Sequence, residues 1–273
     1  MQEQTELKLT QRQLNEKAHY DEAYQHHRVP GPDGKPTFPP AETAFHVVLG
    51  KETRPYNQDW EYLRYVKDLN LQGKTVLELG CGSGGYSVIL ASLGAKVVAI
   101  DLSAVGIEVA RERARFYGFE DRIRFINQAA EALEFPDGMF DAVVGAYVLH
   151  HIEIELASQR LRKILKPGGT AVFLEWVAWS PFDSVRSNRF LSKLFPHGDG
   201  DVTEDERKLD DRDLSVLRNA FKAVDVIRFY TLARLHYFMP RTLPYLRKLD
   251  HWLYRHFPSI RNAGGAAIIR LTN

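Results

Sequence analysis

A single cysteine, Cys81, stands in 273 residues. That excludes an intrachain disulfide and suits a reducing compartment. No apolar run approaches the roughly 20 residues that span a bilayer. Residues 1–16 are too polar for a signal peptide, so a cytoplasmic chain is expected. Neither sign of charge dominates: 36 Lys and Arg face 35 Asp and Glu, a formal net charge of +1. No global electrostatic case for nucleic acid follows. The acidic stretch 198–213 lacks a histidine at ligand spacing, so it reads as a solvated loop and no metal site is expected. Internal repeats are absent too. What remains is length and a 44% hydrophobic content, enough for one large α/β domain with additions.

The richest stretch is Val76-Leu77-Glu78-Leu79-Gly80-Cys81-Gly82-Ser83-Gly84-Gly85. An apolar run enters a glycine cluster and an amphipathic segment follows, which predicts a buried strand, a tight turn and a helix N-terminus. Glycines there permit positive φ and let a ligand approach the main chain. The pattern has two readings. Gly80, Gly82 and Gly85 satisfy a dinucleotide fingerprint, while Glu78, Gly80, Gly82 and Gly84 satisfy E-x-G-x-G-x-G. Glu78 favours the second, because a strand-end carboxylate has a natural partner in the ammonium and sulfonium of S-adenosylmethionine. Asp101 ends a second apolar strand, Lys96–Asp101, where a carboxylate can accept from both hydroxyls of a ribose. It serves either cofactor. Ser103 is the expected N-cap of a helix over residues 104–117. Cys81, inside the loop, reads as a small packing residue rather than a nucleophile.

Four motifs in order carry a family resemblance: the glycine loop, Ala130-Glu131 to Asp141, Ala142 to His151, and Leu161 to Gly169. Residues 74–176 resemble a class I S-adenosylmethionine-dependent methyltransferase. The resemblance implies a Rossmann-like, doubly wound, seven-stranded and mostly parallel sheet with an antiparallel last strand. It also implies an N-terminal helical lid and a helical insertion before the last strand. Cofactor contacts are implied for Glu78, Gly80, Cys81, Gly82, Gly84, Asp101, Leu102, Ala129, Ala130, Glu131 and Ala146. Many members place an aspartate where this chain has Ala129, preceded by Gln128, so adenine is expected against the backbone near Ala129 and Ala130 or against Gln128. The alternatives are a nicotinamide-dependent oxidoreductase, opposed by the lack of a Tyr-x-x-x-Lys pair after strand four, and a non-catalytic relative.

Organisation follows the motifs. Residues 1–55 form a helical segment and a connector, residues 56–176 the cofactor-binding core, and residues 177–273 the rest of the same domain. Arg28 to Thr43 holds five prolines and two glycines, which predicts an extended connector. His150 and His151, at the carboxyl edge of the sheet, are the candidate general bases. By resemblance, Tyr20 or Tyr24 closes over the cofactor from the lid. Trp176 and Trp179 are candidates for an aromatic wall at the acceptor. The segment 232–262 mixes aromatic and basic residues, with plain packing, a substrate cap, a dimer face and peripheral membrane contact all open. A small molecule, lipophilic or aromatic, with an oxygen or nitrogen acceptor, is the expected substrate. Monomer and homodimer are both open.

Overall fold

A computed structural model describes residues 9–31, 36–38, 58–178, 207–237 and 239–273. The strands of the core are β3 (Thr75–Leu79), β4 (Lys96–Asp101), β5 (Ile123–Asn127), β6 (Phe140–Ala146), β7 (Leu165–Trp176), β8 (Ala223–Phe229) and β9 (Ala266–Thr272). They form one seven-stranded sheet in the order β5-β4-β3-β6-β7-β9-β8. β9 pairs antiparallel with both β7 and β8, so the one reversed strand lies one position in from the edge. Helices α2 (Gln58–Asp68), α3 (Gly85–Ser92), α4 (Ala104–Tyr117), α5 (Ile154–Ile164) and α6 (Asp211–Ala220) complete the layers.

Strand alternation fills both faces. Val76, Ala99, Val144 and Leu174 pack with α2, α3 and α4, while Leu77, Leu79, Val143 and Phe173 pack with α5 and α6. Strands buried on both sides read as continuous apolar runs, which is why they were visible in the sequence. Chain order reverses between β3 and β6, which are paired in register from Val76 with Ala142 to Leu79 with Gly145. Their carboxyl ends therefore open the crevice where ligands bind in such sheets.

The additions are held differently. The N-terminal helix α1 (Gln11–Gln25), the segment expected as a lid, starts on Thr10 in a capping box with Gln13, buries no residue fully and packs along α4. The connector is not merely extended: β1 (Val29–Pro30) and β2 (Pro36–Thr37) pair as a short antiparallel hairpin. The acidic stretch is also more built than expected at its described end. Asp210 caps α6, and buried Asp213 takes both Arg207 Nη atoms at 2.6 and 2.7 Å. Its residues 198–206 lie outside the described residues, as does Trp179.

The insertion forms short 3-10 turns around α7 (Leu243–His256). Buried Asp250 accepts from the amides of Leu232 and Ala233, and Tyr254 Oη bonds Thr231, so this segment is anchored to the end of β8. Tyr245, Leu249 and Trp252 remain exposed on α7. None of the described helices is long and apolar enough to cross a membrane.

Candidate active site

The glycine loop follows β3 directly. Gly80, Gly82 and Gly84 all have positive φ, at 65°, 49° and 79°, and Gly84 is the side-chain-free N-cap of α3. A Cβ at Gly82 would lie 2.6 Å from Tyr24 Oη, and one at Gly106 2.8 Å from Tyr24 Cδ2. Two glycines thus seat one lid side chain. Two hollows meet over this loop and share Tyr24, Gly80, Ala146 and Tyr147 as walls.

The first chamber has a volume of about 280 Å³ and lies between the core and α1. Its core walls are Gly80, Asp101, Leu102, Ala129, Ala130, Glu131, Ala146 and His151, and its lid walls include Glu16, Tyr20 and Tyr24. Asp101 Oδ2 accepts from Gly82 N at 2.7 Å and Oδ1 from Ser103 N at 2.8 Å. Burial raises its pKa to about 6 despite these bonds. Ser103 caps α4 through Gly106 N, as expected, and also donates to lid residue Asp21 at 2.5 Å. Gln128 turns its amide onto the carbonyl of Ala132. The backbone at Ala129 and Ala130 is therefore the face offered beside Asp101.

Not every residue named from sequence reaches a hollow. Period-two alternation puts Glu78 on the sheet face that α3 covers, where it accepts from Ser87 Oγ under the loop. Burial pushes its pKa up to about 8. Gly84 packs against Ala110 instead of lining a chamber. Cys81 and Gly82 line the second chamber.

The two histidines part company. His150 is 1% exposed, with Nδ1 at 2.7 Å from Glu175 Oε2, and Glu175 also accepts from the amides of Val148 and Leu149. That carboxylate fastens the turn after β6, and His150 is part of the fastening. His151 faces the first chamber, with Nε2 at 3.2 Å from Tyr20 Oη and Nδ1 at 3.5 Å from Glu16 Oε1. Burial raises the pKa of Glu16 to about 7. Trp176 stacks on Tyr147 at 5.6 Å and stands behind the site.

The second chamber, about 320 Å³, is lined by Tyr24, Asp59, Tyr86, Ile89, Arg113 and Tyr147 as well as the loop. Tyr86 donates to Asp59 at 2.6 Å. Tyr147 has a positive φ of 56°, and its buried hydroxyl finds no hydrogen-bond partner among the described residues. Strained non-glycine backbone gathers at functional sites. Sequence reasoning missed Glu16, Glu175, Arg113 and Tyr147. Of these only Glu175 carried a signal, an acid inside the apolar run Ala171–Trp176.

The fold and this site define a class. Residues 76–169 match the family model described as a methyltransferase domain. The demethylmenaquinone methyltransferase of Thermus thermophilus is 36% identical over 126 residues, 44% of this chain and 56% of that protein. The sterol 24-C-methyltransferase of Yarrowia lipolytica is 30% identical over 142 residues, 51% of this chain and 37% of that protein. The chain spans about half the length of the first of these relatives. Among solved structures, geranyl diphosphate C-methyltransferase from Streptomyces coelicolor superposes with a TM-score of 0.57 at 19% identity, covering 96% of this chain and 98% of that one. The four motifs, the sheet order and the matched segment agree, and they make residues 76–169 similar to the methyltransferase domain of class I S-adenosylmethionine-dependent enzymes.

Proposed function

We propose that this protein transfers a methyl group from S-adenosylmethionine to a carbon atom of a small lipophilic molecule. The observation that carries the reading is the pair of hollows joined over the glycine loop. One presents Asp101 beside open backbone, and the other is walled by Tyr24, Tyr86, Ile89 and Tyr147. The residues fit the cofactor: a carboxylate at the end of β4 suits ribose hydroxyls, and the loop glycines leave the main chain bare. When bound, S-adenosylmethionine supplies an electrophilic sulfonium methyl group.

The relatives' names support a carbon acceptor, since a sterol C-methyltransferase and a geranyl diphosphate C-methyltransferase are among them. The expected preference for oxygen or nitrogen finds no such support. Methylating a carbon that bears hydrogen requires a proton acceptor, and His151 with Tyr20 is the pair at the chamber wall. His151 Nε2 takes the proton through or beside Tyr20 Oη, and Glu16 near Nδ1 steadies the imidazolium. Lid residues 11–25 exclude water from this pair when they lie across the chamber.

Calorimetry with S-adenosylhomocysteine, NAD and NADP, followed by methyl-transfer assays on a quinol, a sterol and an isoprenyl diphosphate, tests the reading. Dinucleotide binding without S-adenosylhomocysteine binding would sink it. His151→Gln and Tyr20→Phe are expected to keep S-adenosylhomocysteine affinity within about threefold and to lower turnover by about 10²- to 10⁴-fold. Full turnover in both variants and in the double variant would leave these side chains structural.

A further inference from the structure

Helix α7 has two apolar faces, where a helix on a protein surface needs only one. Leu243, Leu246, Asp250 and Tyr254 share the inward face: Asp250 and Tyr254 are buried, and the two leucines pack on the core. Tyr245, Leu249 and Trp252 follow at i, i+4 and i+7 on the opposite face, 73%, 43% and 50% exposed. Trp252 stacks on His256 at 4.6 Å and meets the exposed Phe257 edge-on at 6.2 Å, which extends the stripe past the helix end. Single exposed apolar residues need no explanation, but a continuous stripe marks a contact surface.

Charge says what that surface meets. The whole chain balances 36 Lys and Arg against 35 Asp and Glu, yet residues 232–262 hold six of the first kind and one of the second. The one acid is Asp250, buried and occupied by the amides of Leu232 and Ala233. Lys248 and Arg255, two turns apart, run along one side of the apolar stripe, and Arg241 lies in the turn Pro240–Thr242 just before the helix. All three are exposed, and among the described residues none has an ion-pair partner. Aromatic rings beside long cationic side chains suit the surface of an anionic bilayer, where rings and stems sit in the apolar boundary while the charges stay in water. A second copy of the chain docked about a two-fold axis would instead set these cations against one another.

The placement of α7 agrees. β7 and β8 are both antiparallel to β9 and so run parallel to each other, with Trp176 and Phe229 both opposite Ala266. The insertion therefore leaves β8 at the carboxyl edge of the sheet, where the chambers lie. A row of aromatic rings joins the two places. Tyr147 of the chamber walls stacks on Trp176 at 5.6 Å, Trp176 meets Tyr230 at 5.9 Å, and Arg247 of α7 lies over the Tyr230 ring at 5.8 Å.

We propose that the outer face of α7 docks this protein on an anionic lipid membrane, with Tyr245, Leu249 and Trp252 in the boundary between headgroups and acyl chains and Arg241, Lys248 and Arg255 on the lipid phosphates. Docking there holds the chambers near the bilayer in which a lipophilic acceptor dissolves. That consequence rests on the methyltransferase reading, whereas the surface itself does not.

The test is co-sedimentation of the full chain with vesicles of phosphatidylcholine alone and of phosphatidylcholine and phosphatidylglycerol in equal parts, without cofactor. The wild type is expected to bind the mixed vesicles about tenfold or more tightly than the neutral ones, and to weaken as salt rises. Two double variants separate the contributions, each checked for folding by its thermal melt and its S-adenosylhomocysteine affinity. Lys248→Glu with Arg255→Glu should lower binding to mixed vesicles by about 10- to 100-fold. Tyr245→Ser with Trp252→Ser, which keeps every charge, should lower it by about tenfold. Absence of wild-type binding to mixed vesicles overturns the proposal, as does equal binding by both folded variants. Equally tight binding to soluble polyglutamate, untouched by the serine pair, would reduce the surface to bare charge and also overturn it. So would a wild-type dimer in sedimentation velocity that the serine pair dissolves, if vesicles go unbound. Lack of S-adenosylhomocysteine binding by the wild type would count against the methyltransferase reading alone, because the vesicle measurement needs no cofactor.

Discussion

The first chamber has two walls of different make. Its core wall is carried by strands whose side chains behind the chamber are almost wholly buried, such as Leu77, Leu79, Val143 and Val144 at 0% exposure. Its lid wall, α1, buries nothing fully and is held by polar contacts. Arg12 reaches the carbonyl of His150 at 2.7 Å, Gln13 reaches Glu131 at 3.1 Å, Asp21 meets Ser103, and Arg28 just beyond the helix meets Glu112. Apolar burial is strong and non-directional, whereas partly exposed polar contacts contribute little each. The difference teaches that the two walls are held by different forces, so that the contacts of α1 can be broken one by one while those of the sheet cannot.

The comparison is broken most directly in the strands that carry the core wall. Leu77→Ala is expected to cost about 2–5 kcal/mol of unfolding free energy. Leu14→Ala, on the half-exposed lid stripe, should stay within about 0.5 kcal/mol. Denaturant melts of the two variants decide this, and equal losses would show that α1 is part of the core. Next in size is the proposed seat of the cofactor. Asp101→Ala should weaken S-adenosylhomocysteine binding more than tenfold, because ribose hydroxyls lose their acceptor. For the wild type, affinity should fall as pH drops through about 6, where the carboxylate takes up its proton.

Glu78 sharpens the core side of the comparison through pH. Its folded pKa of about 8 lies above the ordinary 4.5. The folded state therefore holds a proton that the unfolded state has released, and stability falls as pH rises between those values. Relative to Glu78→Gln, the wild type should lose up to about 1.4 kcal/mol per pH unit in that window. Parallel stability curves would remove Glu78 from the titrating set. The smallest effect belongs to the lid latch. Arg28→Ala should cost less than about 1 kcal/mol, yet speed proteolysis within residues 9–31 and shorten the residence of S-adenosylhomocysteine. An unchanged proteolytic rate would mean that the latch holds nothing.

Much of the core was legible because its signals are local. The apolar strands, the glycine turn, the Ser103 cap and the acid ending β4 each announce themselves within a few residues, and the helix predicted over 104–117 forms with those bounds. Placement around the site was less legible. Glu78 looked like a ligand contact, but alternation turns it under α3. His150 and His151 looked equivalent, and only the position of Glu175 on β7 separates a fastened histidine from one that faces the chamber. Arg113 and Glu16 sit in ordinary helical surroundings with nothing nearby in sequence to distinguish them.

What the amino-acid order determined by itself is the alternation of strand and helix, the glycine loop and the acid at the end of β4, because backbone conformation and apolar periodicity are decided by neighbours. Only the tertiary structure decided which charges meet. Helix α1 brings Glu16 and Tyr20 to His151 across more than a hundred residues, and α4 brings Arg113 against the start of α3. Such meetings depend on which faces pack together, and no local pattern encodes the distance between two side chains on different elements.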